Sequence, residues 1–200
     1  AIVNDDLDVF TNMFPRLGQG AASTEAKLFV GLLEANAGVG IKLSDGKALF
    51  HTDHKNIAAT GAAPSIASLS DARTTMRRQT GLAGELISVL PTYLIVPPEL
   101  ETISEQLLAD ISATEAANAN PFTGKLSLLV EPRLQNTTAW YLSSKPGNPD
   151  SLQHAYLDGA KGPQLITREG FEVDGLEYKV RLDFGAGFTD HRGWYMNPGE

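Results

Sequence analysis

The segment Leu176-Glu177-Tyr178-Lys179-Val180-Arg181-Leu182-Asp183-Phe184 constrains this chain most. Five apolar side chains alternate there with four charged ones. Successive side chains of a strand point to opposite faces, so the run predicts a strand with one apolar face and one ionic face. Asp174-Gly175 just before it fits a tight hairpin, because glycine accepts a positive φ. A strand of this kind packs its apolar face on a core and turns its charges to solvent or to another subunit. It reads as scaffold and not as a reaction site.

At 200 residues the chain suits one domain or two small, connected ones. Its 24 acidic against 16 basic residues give a net charge of −8, a surface that repels a phosphate backbone and argues against specific nucleic-acid recognition. There is no cysteine, which excludes disulfides, thiolate metal sites and a cysteine nucleophile. No apolar stretch approaches the ~20 residues of a membrane helix, so no membrane partner is expected. The start, Ala1-Ile2-Val3-Asn4-Asp5-Asp6, carries neither a basic region nor an apolar run, and no initiator methionine. The stretch is expected to be a fragment or processed product of a longer protein.

Along the chain, Asp5 and Asp6 can cap a short helix bearing Leu7 and Phe10. Pro15 suits a helical first turn, and a long helix is expected from there to about Asn36, with Leu17, Ala21, Leu28 and Leu32 as one apolar stripe and Gly38 and Gly40 ending it. Residues 44–64 read as loop. Ser68-Leu69-Ser70-Asp71 resembles a capping box, opening a helix that turns Leu69, Ala72 and Met76 inward and stops at Gly81. Tyr93–Val96 is a short buried strand running into Pro97-Pro98. Those prolines start a helix with Leu100, Ile103, Leu107 and Ile111 on its buried side. Strands are then expected at Leu126–Val130, Thr138–Leu142, Leu152–Leu157, Gln164–Arg168, Phe171–Val173, Leu176–Phe184 and Phe188–Tyr195. Helices first and a largely antiparallel strand series afterwards indicate an α+β fold.

His51-Thr52-Asp53-His54 is the one cluster with metal-ligand chemistry, and Asp190-His191 could add to it. It lies in a loop without the helix or hairpin frame that fixes ligand spacing, so a polar turn with hydrogen-bonded histidines is the preferred reading and no metal, cofactor or catalytic residue is assigned. A Gly-x-Ser-x-Gly elbow is missing. Pro121-Phe122-Thr123-Gly124-Lys125 lacks the upstream glycine of a P-loop and reads as a turn before a strand. Gly185-Ala186-Gly187 is followed by strand-like residues, so it fits a bend or bulge and not a dinucleotide fingerprint. Arg73, Arg77 and Arg78 form a basic patch on one helix, read as a solvated face or a subunit salt bridge. Trp140, Tyr141, Trp194 and Tyr195 are expected in the core or at an interface.

Four blocks carry a resemblance over essentially the whole chain: Ala1–Leu7, Gly46–Asn56, Tyr93–Glu101 and Val180–Gly187. Their order and sequence resemble the major head subunit of Mu-like phages and prophages, and also the capsid half of prohead protease–capsid fusion proteins. The resemblance implies the tailed-phage major capsid fold: a spine helix on a mostly antiparallel peripheral sheet, plus an α+β axial domain. It places the spine helix and the first part of the peripheral domain in 1–50, the axial domain in 51–162, peripheral strands in 163–185 and a C-terminal return to the axial domain in 186–200. The chain begins where the family has passed its N-terminal arm and extended loop, and no protease residue carries over. The family implies no metal at His51–His54.

The function so implied is structural: a subunit of an icosahedral phage head, not an enzyme, which self-assembles into capsomers and a DNA-containing shell. Its partners would be further copies of itself and a scaffold or prohead protease, and its location the virion, assembled in the bacterial cytoplasm. Two other readings are a metal-dependent hydrolase using the His51-Asp53-His54 loop and a phage decoration or adaptor protein that shares the fold.

Overall fold

A computed structural model describes residues 13–109, 120–170 and 176–200. The described residues fall into two compact units, a larger one of Val30–Gln153 with Phe188–Glu200 and a smaller one of Ala1–Phe29 with His154–Gly187.

The larger unit is built on a four-stranded sheet. Its strands are β1 (Pro91–Val96), β2 (Ser127–Val130), β3 (Trp140–Ser144) and β8 (Trp194–Asn197), in the order β2-β1-β3-β8. β1 pairs with β2 in parallel and with β3 antiparallel, and β3 pairs antiparallel with β8. The parallel pair follows from the crossover helix α3 (Glu101–Leu108) between β1 and β2.

Side-chain alternation sends β1, β3 and β8 into two cores at once, whereas edge strand β2 packs only Leu128 and Val130 inward and leaves Leu129 exposed. Ile95, Tyr141, Trp194 and Met196 point into one, packed with Val30, Leu33, Leu49 and Phe50. Leu94, Val96, Trp140, Leu142 and Tyr195 point into the other, against Leu69, Ala72 and Met76 of helix α2 (Ile66–Arg77) and Leu100, Leu107 and Leu108 around α3. With both faces covered, every residue of β3 and β8 is buried. Burying each large apolar side chain contributes roughly 1.5–3 kcal/mol.

Helix α1 (Met13–Gly38) is regular only as far as Glu34. Ala35 is extended, and Asn36 and Ala37 take positive φ, so the helix stops about where the glycines suggested. Its buried side matches the expected stripe only in part, for Leu32 packs against a core. Leu17 and Leu28 are 36% and 39% exposed, whereas Val30 and Leu33 are buried. The cap of α2 also differs from expectation. Ser65 is the N-cap and Ser68 the third helical residue: the Ser65 hydroxyl accepts from Ser68 N, and Ser68 Oγ accepts from Ser65 N. The helix ends at Arg77, short of Gly81, while Leu69, Ala72 and Met76 are buried as the periodicity predicts. On α3, Leu107 packs inward but Ile103 is 41% exposed.

In the smaller unit β5 (Gln164–Glu169) and β6 (Leu176–Arg181) form an antiparallel ribbon, with Gln164 opposite Arg181 and Glu169 opposite Leu176. The long alternating strand is therefore cut short. It leaves the ribbon after Arg181, and Phe184 opens a separate strand, β7 (Phe184–Phe188), which pairs with β4 (Leu152–Tyr156). The single strand expected over Phe188–Tyr195 divides likewise between β7 and β8. On the ribbon, Leu165 and Tyr178 are 47% and 39% exposed, so its apolar face is not sealed in a core within one chain. Phe29, His154, Tyr156 and Phe184 make an aromatic cluster, with Phe29 and Phe184 edge to face at 5.5 Å. Tyr156 Oη donates to Glu25 Oε1 at 2.9 Å, one helical turn before Phe29. The expected short helix at Leu7 and Phe10, Ile111, the strand at Phe171–Val173 and the Asp174-Gly175 turn lie outside the described residues.

Candidate functional site

The histidine cluster occupies the loop between α1 and α2, whose path is fixed locally. Lys42 bridges Ala48, Gly46 turns the chain at φ 79°, and Lys47 N donates to Asp45 Oδ1. A single 3-10 turn, Thr52–His54, follows. His51 caps it, its Nδ1 accepting from Asp53 N at 3.1 Å, which puts any single ring proton on Nε2.

His54 is 5% exposed. Its Nδ1 lies 3.1 Å from Leu49 O and its Nε2 2.7 Å from Asp45 Oδ2. Both nitrogens of the ring therefore face oxygen atoms. His191 stacks on it, with centroids 3.9 Å apart and planes 7° from parallel. Buried Asn56 joins the pieces: its amide donates to Leu49 O and His191 O, and its carbonyl accepts from His51 N. Gln79 of the segment after α2 donates to His54 O.

The carboxylates near these rings already have partners of their own. Lys47 Nζ lies 2.6 Å from Asp53 Oδ2, which holds Asp53 below its usual range and raises Lys47. The His54 hydrogen bond, followed by the backbone N–H of Lys47, lowers Asp45. Asp190 accepts from Arg192 N and lies 3.4 Å from Arg192 Nη1. Burial, then the neighbouring His54, depresses His191 to about 4, so its ring is neutral at pH 7.

These groups are close, but they are turned on one another and on the backbone. Among the described residues no group of three or more histidine or carboxylate side chains is arranged to hold a metal ion. The cluster can pin the loop after α1 to the segment before β8. That is mechanical work, performed by hydrogen bonds and stacking.

The other sequence motifs fall into place in the same way. Trp140 is fully buried and its Nε1 donates to Ala62 O at 2.8 Å. Tyr141, Trp194 and Tyr195 are core residues. Residues 121–125 form the turn before β2, with Lys125 N donating to Phe122 O at 3.0 Å. Gly185-Ala186-Gly187 lies inside β7. The basic patch divides. Arg73 and Arg77 border a hollow that also takes in Phe122 and Lys125, while Arg78 lines a separate, more open depression with Lys55. The patch was legible in the sequence as a run on one helix. Its union with Phe122 and Lys125 was not, because they come from a segment distant in the chain. Among the described residues no helix is long and apolar enough to cross a membrane.

Several solved structures resemble this architecture. An encapsulin of Synechococcus elongatus PCC 7942 superposes with a TM-score of 0.52 at 10% identity, over 96% of this chain and 69% of that one, which identifies the fold. A phage-related protein of Bordetella bronchiseptica RB50 matches with a TM-score of 0.45 at 12% identity, over 78% of this chain and 59% of that one. A chain of the satellite phage P4 procapsid, a structure that includes the size determination protein, matches with a TM-score of 0.39 at 15% identity, over 84% of this chain and 48% of that one. The chain thus spans less than two thirds of the Bordetella and P4 chains. No curated protein matches it. A family model described as phage capsid protein matches residues 1–197. With the α+β architecture and the encapsulin fold, that match makes this chain a member of the phage capsid protein family.

Proposed function

We propose that the chain is a structural subunit of an icosahedral phage or prophage head, and that its work is to associate with copies of itself into capsomers and a DNA-containing shell. The observation that carries this reading is the family match over residues 1–197. The internal chemistry supports it, because the histidines and carboxylates of the loop at residues 45–56 hold one another and form no nucleophile–base pair in a cleft among the described residues. The protein is accordingly not an enzyme in this reading.

The sequence blocks quoted above favour a head of the Mu-like type. On that template 1–50 supplies the spine helix and the first part of a peripheral domain, 51–162 the axial domain, 163–185 further peripheral strands and 186–200 the return to the axial domain. The partners are further copies and a scaffold or prohead protease, in a head assembled in the bacterial cytoplasm.

Expression of the complete gene with its neighbouring head genes, followed by electron microscopy, tests the proposal. Closed particles that protect DNA from nuclease are expected. A product that never associates would overturn it. So would reproducible hydrolysis abolished by His54→Ala in a variant that remains folded.

A further inference from the structure

The β5–β6 ribbon of the smaller unit is a sheet of two strands only. Among the described residues no other strand pairs with either of its outer edges. Leu165 and Ile166 point to opposite faces of it, and each is 47% exposed. A two-stranded ribbon with no third strand and no covering layer is marginally stable in water. Its open edges present unpaired N–H and C=O groups to another chain.

The sequence of β6 says which chain fits. From Leu176 it reads Leu-Glu-Tyr-Lys-Val, which is symmetric in chemical type about Tyr178, apart from the sign of its charges. Antiparallel pairing with β6 of a second copy, centred on Tyr178, sets Tyr178 opposite its own counterpart. Glu177 of each copy then falls opposite Lys179 of the other, and Leu176 opposite Val180. Opposite charges and apolar pairs directly across two strands attract. A slip of two residues brings Lys179 against Lys179 or Glu177 against Glu177, and a slip of one exchanges the faces. Within one ribbon Glu177 lies opposite Arg168, 3.0 Å from its Nη2. Exposed Lys179 lies opposite Ile166 and makes no ion pair among the described residues.

We infer that β6 pairs antiparallel with β6 of a second copy across a two-fold axis at Tyr178, joining two ribbons into one four-stranded sheet. The inference rests on the self-association proposed above and names an edge that carries it. Charge complementarity selects the occupant. Each copy carries a net charge of −8, so two copies repel unless their local charges match, and this register supplies two matched pairs. The contact is isologous and closes after two copies, so it ties subunits in pairs and leaves ring contacts to other surfaces.

The chain has no cysteine, so a single introduced thiol reports the register. At high concentration under mild oxidation, Tyr178→Cys should give a disulfide-linked dimer, because facing residues stand about 4.5–5.5 Å apart at Cα. Val180→Cys should link roughly tenfold more slowly, since its two copies stand about 14 Å apart in this register. Adding Lys179→Glu to Tyr178→Cys turns both attractions into repulsions and should slow linking roughly tenfold. Adding Glu177→Lys instead should do the same, and mixing the two double variants should restore the rate. Circular dichroism confirms that each variant is folded. Equal linking of Tyr178→Cys and Val180→Cys, or a rate indifferent to Lys179→Glu, overturns this inference and leaves the proposed function standing. So does a Tyr178→Cys chain that stays unlinked in closed particles of the complete gene product. An absence of any association, in the chain and in the complete gene product, overturns both.

Discussion

At the scale of single residues, the stacked imidazoles give a pH dependence with a definite sign. His191 is held neutral in the fold, at about 4, against an ordinary value near 6.5. As pH falls through about 6.5 the unfolded chain takes up this proton and the folded chain does not. Stability therefore declines between about pH 6.5 and 4, by up to about 3 kcal/mol from this group, and the loss levels off below that window. Asp45 is shifted downward by its hydrogen bond with His54 and by the backbone N–H of Lys47, and Asp53 by Lys47, so their contribution is present above the ordinary carboxylate range and is lost only at lower pH. Urea unfolding across this range is expected to show a shallower slope between pH 6.5 and 4 for His191→Phe, which keeps a ring on His54 and removes the titration. An unchanged slope would show that His191 exerts no such control. Gly40 is a second point of leverage. It has φ +81°, and a Cβ there would stand 2.7 Å from the Cβ of fully buried Leu49. Gly40→Ala is expected to cost about 1–3 kcal/mol and to lower Tm, with no surface contact changed.

At the scale of elements, the helices show where local sequence is informative and where it stops. The inward residues of α2 were readable because a 3.6-residue repeat is a local property. The cap was misplaced because Ser65, Ser68 and Ser70 offer the same hydroxyl, and only the backbone path decides which one meets a free N–H. Ser65→Ala is therefore expected to destabilise by about 1 kcal/mol, whereas Ser70→Ala, inside the helix, should be nearly neutral in the same thermal melts. The alternation of Leu176–Phe184 suggested one strand with one apolar face, but the strand ends at Arg181 and Phe184 belongs to β7, because the local pattern does not say which strand lies beside it. Partner choice is a long-range matter. After Arg181 the chain leaves β5, Arg181 pairs with Asp183 at 2.7 Å, Leu157 N donates to Asp183 O, and Phe184 begins pairing with β4. The stripe of α1 was legible only in part for a related reason: Leu32 packs against a core, but a helix with several leucines offers more than one apolar line, and Val30 and Leu33 are the residues buried there while Leu17 and Leu28 are exposed.

At the scale of the whole molecule, the α+β class was legible from the order of the elements, and the basic patch from Arg73, Arg77 and Arg78. The complete hollow was not, since Phe122 and Lys125 reach it only through the tertiary fold. This scale also sets the expected behaviour of the 200-residue chain in solution. A single contact of the kind a shell subunit repeats several times falls below the ~1,000 Å² that a stable pair buries. A net charge of −8 on each copy adds repulsion beyond the contact itself. Shells tolerate weak single contacts because each subunit makes several and the closed assembly holds them together. At micromolar concentration and pH 7 the chain by itself is therefore expected to sediment as a monomer or a rapidly exchanging mixture, with association appearing only as concentration rises. A stable closed ring of five or six copies under those dilute conditions would show that the surfaces of this chain suffice alone and that its contacts are more extensive than a stable pair requires.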